Sequence, residues 1–493
     1  MQEYPTLAAV DLGSNSFHLQ VGRVEGEQLF YLDAHKESVR LAAGLNGDKR
    51  LDAASQKRAL DCLARFGERL KGMPAGSVRA VGTSALRVAK NSAEFMEQAK
   101  AALGFDIEVV SGREEARLIY LGVAHSLPLN KEPRLVVDIG GGSTECIIGV
   151  GYEPQERESL RMGCVVFSER YFPEGRVDKA AMKAAVTAAR METQEVAKQF
   201  KRGRWAEAVG SSGTARALGE LCFQMGLSDG EITVDGLKWL RESIAKAGGV
   251  EQADMPGLKP DRRPVILGGI AVMSAIFEEL KIETMKVAQG AMREGILWDL
   301  LGRVHDHDMR DVTVAQFVRR YHVDTRQAQR VERLALSLFA PWRNSDLPDA
   351  GHFLGWAARL HEIGISIAHS GFHKHSAYIL ENADMPGFSR QDQVRLATLV
   401  RASRGGMAKL DIAPDYPDWP LILCLRLAVL LHRNRSDAVL PDMRLDCAEG
   451  ECVLRLSDDW LAGNPLSQAA IEGEIKQWRG VPAELKLAGL RGR

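Results

Sequence analysis

Two short segments set an acid beside glycines and hydroxyls in the same order: Asp11-Leu12-Gly13-Ser14-Asn15-Ser16 and Asp138-Ile139-Gly140-Gly141-Gly142-Ser143-Thr144. Glycine lacks a Cβ, so backbone N–H groups can close on a phosphate, and the neighbouring hydroxyls add donors. The carboxylates supply hard oxygen ligands. Asp11 and Asp138, facing one another across a cleft, can hold a hydrated Mg²⁺ against a phosphoryl oxygen. Either segment alone reads first as a hairpin turn. Two copies in halves of similar size point instead to a phosphate site.

Hydrolysis also needs a base. Ser111, followed three residues later by Glu114 between a strand and an apolar helix, is a capping-box pattern, which gives Glu114 a structural task. Glu115 points about 100° further round the helix and is left to face a cleft, where it can orient and deprotonate water. Taken alone, the segment reads equally as a solvated first-turn acid favoured by the helix dipole. Glu145 opens the strand after the second glycine turn and either reaches a metal or water or is an ordinary strand residue. Gly210-Ser211-Ser212-Gly213-Thr214 offers amides to a phosphate at a helix start, or merely caps that helix. In Gly82-Thr83-Ser84-Ala85-Leu86-Arg87, the arginine fork can clamp phosphate or lie on the surface. G-x-x-x-x-G-K-[ST] and G-x-G-x-x-G are both missing, which argues against P-loop and Rossmann chemistry.

The elements that position these groups alternate strand and helix. Leu7 to Val10 and Phe17 to Val24 flank the first turn; Leu135 to Ile139 and Cys146 to Val150 flank the second. Helical spacing over Ala53 to Leu70 and Ser92 to Ala102, with strands at Val78 to Val81 and Ile107 to Val110, completes one α/β domain over residues 1–125. A second follows over 126–303, past Pro128 and Pro133, with strand-to-glycine-to-helix turns expected at Ala208 to Thr214 and Val265 to Ile270. Residues 304–438 have helical spacing almost throughout, as in Ala328 to Phe339, Phe353 to His361 and Gln391 to Arg401. Residues 439–493 read as a small α/β module: a hairpin from Met443 to Leu456, a helix near Pro465 to Trp478 and a last strand.

A chain of 493 residues is too long for one core, and 45% hydrophobic with 26% charged residues is ordinary globular composition. With 64 Lys+Arg against 65 Asp+Glu, no global field draws it to nucleic acid or membranes, so a polyanion site must be a local patch. Seven scattered cysteines without a C-x-x-C pair suggest neither a disulfide framework nor a zinc ribbon and fit a reducing compartment. The N-terminus does not read as a signal peptide, and the longest apolar runs, Val265 to Phe277 and Leu421 to Leu431, are too short to span a bilayer. His352, His361, His369, His373 and His375 cluster in the helical region. His361-Glu362 there is a weak echo of a His-Asp metal pair, while the histidine-rich run with Arg401, Arg404, Lys409, Arg433 and Arg435 can line a basic path for a long anion.

With those residues in view, the chain resembles the exopolyphosphatase/guanosine pentaphosphate phosphatase family in its long four-domain form. The motifs are VDLGSNSFHL (Val10 to Leu19), SGREEARLIY (Ser111 to Tyr120), VDIGGGSTE (Val137 to Glu145), RMGCV (Arg161 to Val165), GSSGT (Gly210 to Thr214) and HSAYIL (His375 to Leu380). The resemblance implies two actin-like, ribonuclease H-like domains of the sugar kinase/Hsp70/actin superfamily, then an all-helical HD-like domain and the small C-terminal α/β module. It implies Glu115 as the water-activating base, Asp138 and Glu145 in catalysis, and Mg²⁺ at Asp11, Asp138 and Glu145, with Mn²⁺ as an alternative and K⁺ as an accessory ion.

The phosphate-binding set it implies is Ser14, Asn15, Ser16, Thr83, Arg87, Gly140, Gly141, Gly142, Ser143, Gly210, Ser212 and Gly213. It further implies a cytoplasmic homodimer, with the inner face of the membrane as a peripheral location, that removes orthophosphate processively from inorganic polyphosphate. The triple glycine and the histidine-rich HSGFHKHSAYIL segment look like the exopolyphosphatase branch. The alternatives are a guanosine pentaphosphate 5′-phosphatase yielding ppGpp, in the stringent response, or both activities in one site. An ATP-using kinase or chaperone and an inactive polyphosphate binder are the other classes the fold admits.

Overall fold

The computed structural model describes residues 4–26, 28–304, 308–342, 347, 349–407, 410, 412–413, 416–437, 439–448, 451–479 and 484–489. The chain forms two compact units, Met1–Met309 and Arg310–Arg493.

The first unit holds two sheets built on one plan. β1 (Thr6–Leu12), β2 (Phe17–Glu25), β3 (Gln28–Glu37), β4 (Val78–Gly82) and β5 (Ile107–Val109) lie in the order β3-β2-β1-β4-β5. The second sheet contains β6 (Arg134–Ile139), β7 (Thr144–Val150), β8 (Glu153–Leu160), β9 (Glu207–Ser211), β10 (Ile232–Thr233) and β11 (Thr284–Val287). Its order is β10-β11-β9-β6-β7-β8. In both, a hairpin carries the Asp tip, a third antiparallel strand follows, and the next strand pairs in parallel with the first: β1 with β4, β6 with β9. β1 and β6 are flanked on both sides, and Leu7 to Val10 and Leu135 to Val137 are wholly buried. Near-continuous apolar runs are what such inner strands require.

Two helices, Gly112–Ser126 and Met292–Val304, run together against residues of both sheets; Ile119, Tyr120, Ile296 and Leu297 share a core with Leu7 and Ala9 of one and Val136 and Ile147 of the other. They approach closely because Gly122 and Gly295 carry no Cβ: one on Gly122 would collide with the Ala291 carbonyl, and one on Gly295 with that of Leu118. Beside this crossing, buried Arg117 holds Glu114 through two 2.8 Å bonds and also pairs with Asp299, which Arg79 reaches at 2.5 Å. Burial alone would raise the Asp299 carboxyl; Arg117 and Arg79 outweigh it and hold it well below the usual range.

Val265 to Ile270 departs from the expected strand-to-helix turn. Arg263–Val265 is a 3-10 turn leading directly into the helix Ile266–Leu280, which is buried nearly all round. A short, fully buried apolar run has no polar face to mark its period, so strand and helix read alike.

The second unit packs the helices Met309–Arg320, Thr325–Leu338, Ala350–Leu360, Phe372–Asn382, Arg390–Ala402 and Trp419–Leu431 with the helix Pro465–Gln477. A sheet of β12 (Arg444–Ala448), β13 (Glu451–Leu456) and β14 (Glu484–Gly489) shares their hydrophobic core through Leu445, Leu454 and Leu485. Arg426, inside the apolar helix Trp419–Leu431, is buried against Glu474 and the carbonyls of Ala402 and Gly405.

The cysteine expectation needs correcting. Cys447 and Cys452 are direct partners across the β12–β13 ladder and form a disulfide, while Cys62, Cys146, Cys164, Cys222 and Cys424 are free and buried. The pair joins neighbouring strands rather than stapling a framework, so counting and spacing alone did not expose it. No helix among the described residues is long and apolar enough to cross a membrane. Glu449, Gly450 and Lys409 lie outside the described residues.

Candidate active site

The two Asp tips meet at the mouth between the sheets. In the β1–β2 register Asp11 stands opposite His18, and in β6–β7 Asp138 stands opposite Glu145. Each turn is braced from behind. Ser14 Oγ accepts the Ala85 N–H at 3.2 Å, the Ser14 and Asn15 carbonyls accept the N–H groups of Ala42 and Arg40, and Thr83 Oγ1 donates to the Leu12 carbonyl. On the other side, Gly140 N–H donates to the Ser143 carbonyl at 2.9 Å, and Thr214 Oγ1 donates to that of Ile139 at 3.0 Å. The turns abut: a Cβ on Gly141 would come within 3.0 Å of the Ser14 side chain and 3.1 Å of the Asn15 nitrogen.

The cleft between them is lined by Asp11, Ser14, Asn15, Ser16, Thr83, Glu115, Asp138, Gly140, Gly141, Ser143, Ser212 and Gly213 from the expected set. Ser212 sits at φ 80°, a left-handed position that is strained for a residue with a side chain, and its Oγ accepts the Thr214 N–H.

Four expected residues lie elsewhere. Arg87 is not among the residues lining this cleft; its Nη1 donates to Glu115 Oε2 at 2.7 Å and to the Val110 carbonyl at 2.9 Å. Glu145, buried beside its cross-strand partner Asp138, accepts from Ser159 Oγ at 2.8 Å and feels the charges of Glu115 and Asp138. Gly210 packs on Ala215 and Met285 inside β9, and Gly142 faces Ser84. Among the described residues, His361 and Glu362 belong to no group of three or more His, Cys, Asp or Glu able to hold a metal, and Glu362 is committed to Arg435.

Four basic residues that line the cleft went unnoticed in the sequence: His18, Arg216, Arg262 and Arg293. Gly213 makes room for Arg262, since a Cβ there would overlap the guanidinium. Arg216 had a signal, lying one turn after Gly210-Ser211-Ser212-Gly213-Thr214 on the same helix. Arg262 and Arg293 had none, because only tertiary folding brings them in. Burial first, then Arg293 and Lys36, push the His18 imidazole down to about 3, so it stays neutral beside these cations. The same four residues, with Lys36, Lys259, Ala217 and Phe223, line an adjoining basin of about 830 Å³.

The acids repel one another. Burial, then Glu115 and Asp138, raise the Asp11 carboxyl to about 8 against a partial offset from Arg293, and Asp11 Oδ1 has no hydrogen-bond partner. Burial also raises Asp138 to about 6, with Ser211, Arg216 and Arg262 pulling partly back, and burial with Glu115 and Asp138 raises Glu145 well above its ordinary value. Buried, uncompensated carboxylates with an orphaned oxygen are the donor set a hard cation needs. Mg²⁺ keeps waters and is usually held by one or two carboxylates plus substrate phosphates, so the Asp11 and Asp138 side chains suit it.

The duplicated sheets with hairpin tips closing on one cleft are the actin-like enzyme fold. A model of the Ppx/GppA phosphatase family matches residues 21–304, and one of domain III of that family matches residues 309–475. The chain belongs to the Ppx/GppA phosphatase family.

It is 38% identical over 485 residues to a guanosine-5′-triphosphate,3′-diphosphate pyrophosphatase of Pseudoalteromonas translucida, covering 95% of this chain and 96% of the relative. It is 40% identical over 482 residues to the protein of the same name in Vibrio cholerae serotype O1, covering 96% of each. Among solved structures, a Cytophaga hutchinsonii exopolyphosphatase shares the fold with TM-score 0.55 and 24% identity, covering 60% of this chain and 98% of that one. An exopolyphosphatase-like protein matches at TM-score 0.56 and 25% identity, covering 62% and 100%. The full-length relatives thus carry the name of the nucleotide branch rather than the exopolyphosphatase branch suggested by the triple glycine and the histidine-rich segment.

Proposed function

We propose that the chain hydrolyses the terminal 5′-phosphoanhydride of guanosine 5′-triphosphate 3′-diphosphate, releasing orthophosphate and leaving guanosine 3′,5′-bisdiphosphate. The observation that carries this reading is the basin beside the cleft. Its apolar lining at Ala217 and Phe223 suits a nucleoside, and its cations suit the phosphates on either side of it. The names of relatives that align over nearly the whole chain support the same substrate.

In this mechanism the backbone of the Gly140 and Ser14 turns, with Arg216 and Arg262, binds the terminal phosphates. Arg87 fixes one oxygen of Glu115, leaving the other to take the proton from the attacking water. Water oxygen bonds to the terminal phosphorus, the bridging P–O bond breaks, and the displaced diphosphate oxygen leaves toward the arginines. Asp11 and Asp138 would hold Mg²⁺, or Mn²⁺ in its place, which neutralises phosphoryl charge when bound. Glu145, the cross-strand partner of Asp138, adds a further carboxyl beside it.

Terminal phosphate of inorganic polyphosphate is the second reading. It requires the same bond to break, and the likeness to the exopolyphosphatase-like structure favours it. Phosphate release measured with Mg²⁺ from both substrates at matched terminal-phosphate concentration decides between them. Preference for the nucleotide is expected; preference for polyphosphate, with long chains persisting on a gel, would move the assignment, and release from neither would refute both. The family resemblance implies a homodimer; sedimentation equilibrium should give twice the 54.1 kDa chain mass, and a monomer mass would refute it.

A further inference from the structure

The second unit contains a cavity of about 540 Å³ that plays no part in the chemistry above. It lies among the helices Thr325–Leu338, Trp419–Leu431 and Pro465–Gln477, closed by the residues after Leu360 and Ala402. His361 lines it with only 1% of its surface exposed. The ring is locked: Nδ1 lies 2.7 Å from the Ala358 carbonyl and so carries the proton, leaving Nε2 as an acceptor. Nε2 has no hydrogen-bond partner. Glu362 Oε1 lies 3.8 Å from Nε2, beyond hydrogen-bond reach, and is paired to Arg435. Burial, which outweighs Glu362, keeps the imidazole neutral.

The cations around the cavity divide in two. Arg426 is consumed by Glu474 and two carbonyls, and Arg435 by Glu362 and Asp324. Arg404 and Arg433 form no ion pair among the described residues; Arg404 lies 5.2 Å over the Phe372 ring, and both are exposed on the cavity rim. A buried acceptor awaiting a donor, beside two guanidinium groups that form no ion pair among the described residues, calls for a ligand carrying both a hydroxyl and an anion.

We infer that this cavity binds a hydroxyl-bearing phosphate ester of nucleoside monophosphate size, a ligand hydroxyl donating to His361 Nε2 and its phosphate meeting Arg404 and Arg433. Such cavities, roughly 300–1,000 Å³, are the usual size for small-molecule sites.

Calorimetric titration of the full chain with ribose 5-phosphate, GMP and inorganic phosphate tests this. The cleft variant Arg216→Glu/Arg262→Glu isolates the second unit, so this inference and the proposed hydrolysis can fail independently. Ribose 5-phosphate is expected to bind the cleft variant with one site, about tenfold tighter than inorganic phosphate. Adding His361→Phe should abolish that preference, and adding Arg404→Glu/Arg433→Glu, both exposed and safe for folding, should weaken every ligand at least tenfold. Absence of binding to the cleft variant, or binding that neither change weakens, would overturn the site; inorganic phosphate binding as tightly as the sugar phosphate would overturn the role of His361.

Discussion

The two Asp turns share a strand order and a register, yet they are not equivalent. Asp138 sits beside Ser211, Arg216 and Arg262 and is raised only to about 6, whereas Asp11 is raised to about 8 and leaves Oδ1 without a partner. The second half also supplies the GSSGT turn and all three cleft arginines, Arg216, Arg262 and Arg293, while the first half supplies Glu115 and the Arg87 that holds it. The repeated strand plan sets one carboxylate at each hairpin tip. In the proposed mechanism one half grips the phosphates and the other handles the water.

The sharpest way to break this division falls on the residue the repeat does not copy. Glu115→Gln should lower kcat by about 10²- to 10⁴-fold, the usual worth of a positioned base, with nucleotide binding retained by equilibrium dialysis. Arg87→Ala should follow in the same direction with a smaller loss and a shifted pH profile, because Arg87 bonds Glu115 Oε2 at 2.7 Å.

On the other half, Arg262→Ala should cost about ten- to a hundredfold in kcat/KM, consistent with roughly 1–3 kcal/mol for a charge-assisted contact, and raise KM as well. Gly122→Ala, which drives a methyl at the Ala291 carbonyl where the two halves cross, should destabilise the first unit by about 1–3 kcal/mol in urea unfolding without a selective effect on either turn.

The smallest effect compares the two acids directly. A carboxyl whose folded value lies above its unfolded one stabilises the fold fully below the unfolded value, near 3.8, and loses that contribution as pH climbs toward the folded value. Without divalent ions, melting temperature should therefore fall between about pH 4 and 8 through Asp11, but only to about pH 6 through Asp138. Asp11→Asn should flatten the upper part of that fall and Asp138→Asn the lower, and Mg²⁺ should restore wild-type stability most at high pH.

Much of this frame was legible because it is local. The order Asp-apolar-Gly marks a hairpin tip wherever it folds, and Ser111 before Glu114 marks the helix that carries Glu115; its hydroxyl does accept the Glu114 N–H. The arginines were not legible in the same way. Arg87 reads as a phosphate clamp or a surface arginine because its ion-pair partner, Glu115, is 28 residues away, and Arg262 and Arg293 come from a loop and a helix start that only packing delivers. Val265 to Ile270 failed for another reason: buried on every side, it shows no periodicity to read. The Cys447–Cys452 bridge lay hidden in a hairpin whose register, not whose spacing, sets the pair opposite one another.

The most direct test is a single turnover of guanosine 5′-triphosphate 3′-diphosphate in ¹⁸O-water with Mg²⁺. The account predicts one ¹⁸O in the released orthophosphate and none in the remaining nucleotide, with both release and label lost in Glu115→Gln. Label in the nucleotide, or unlabelled orthophosphate, would place the attack at a different phosphorus or a different nucleophile and contradict it.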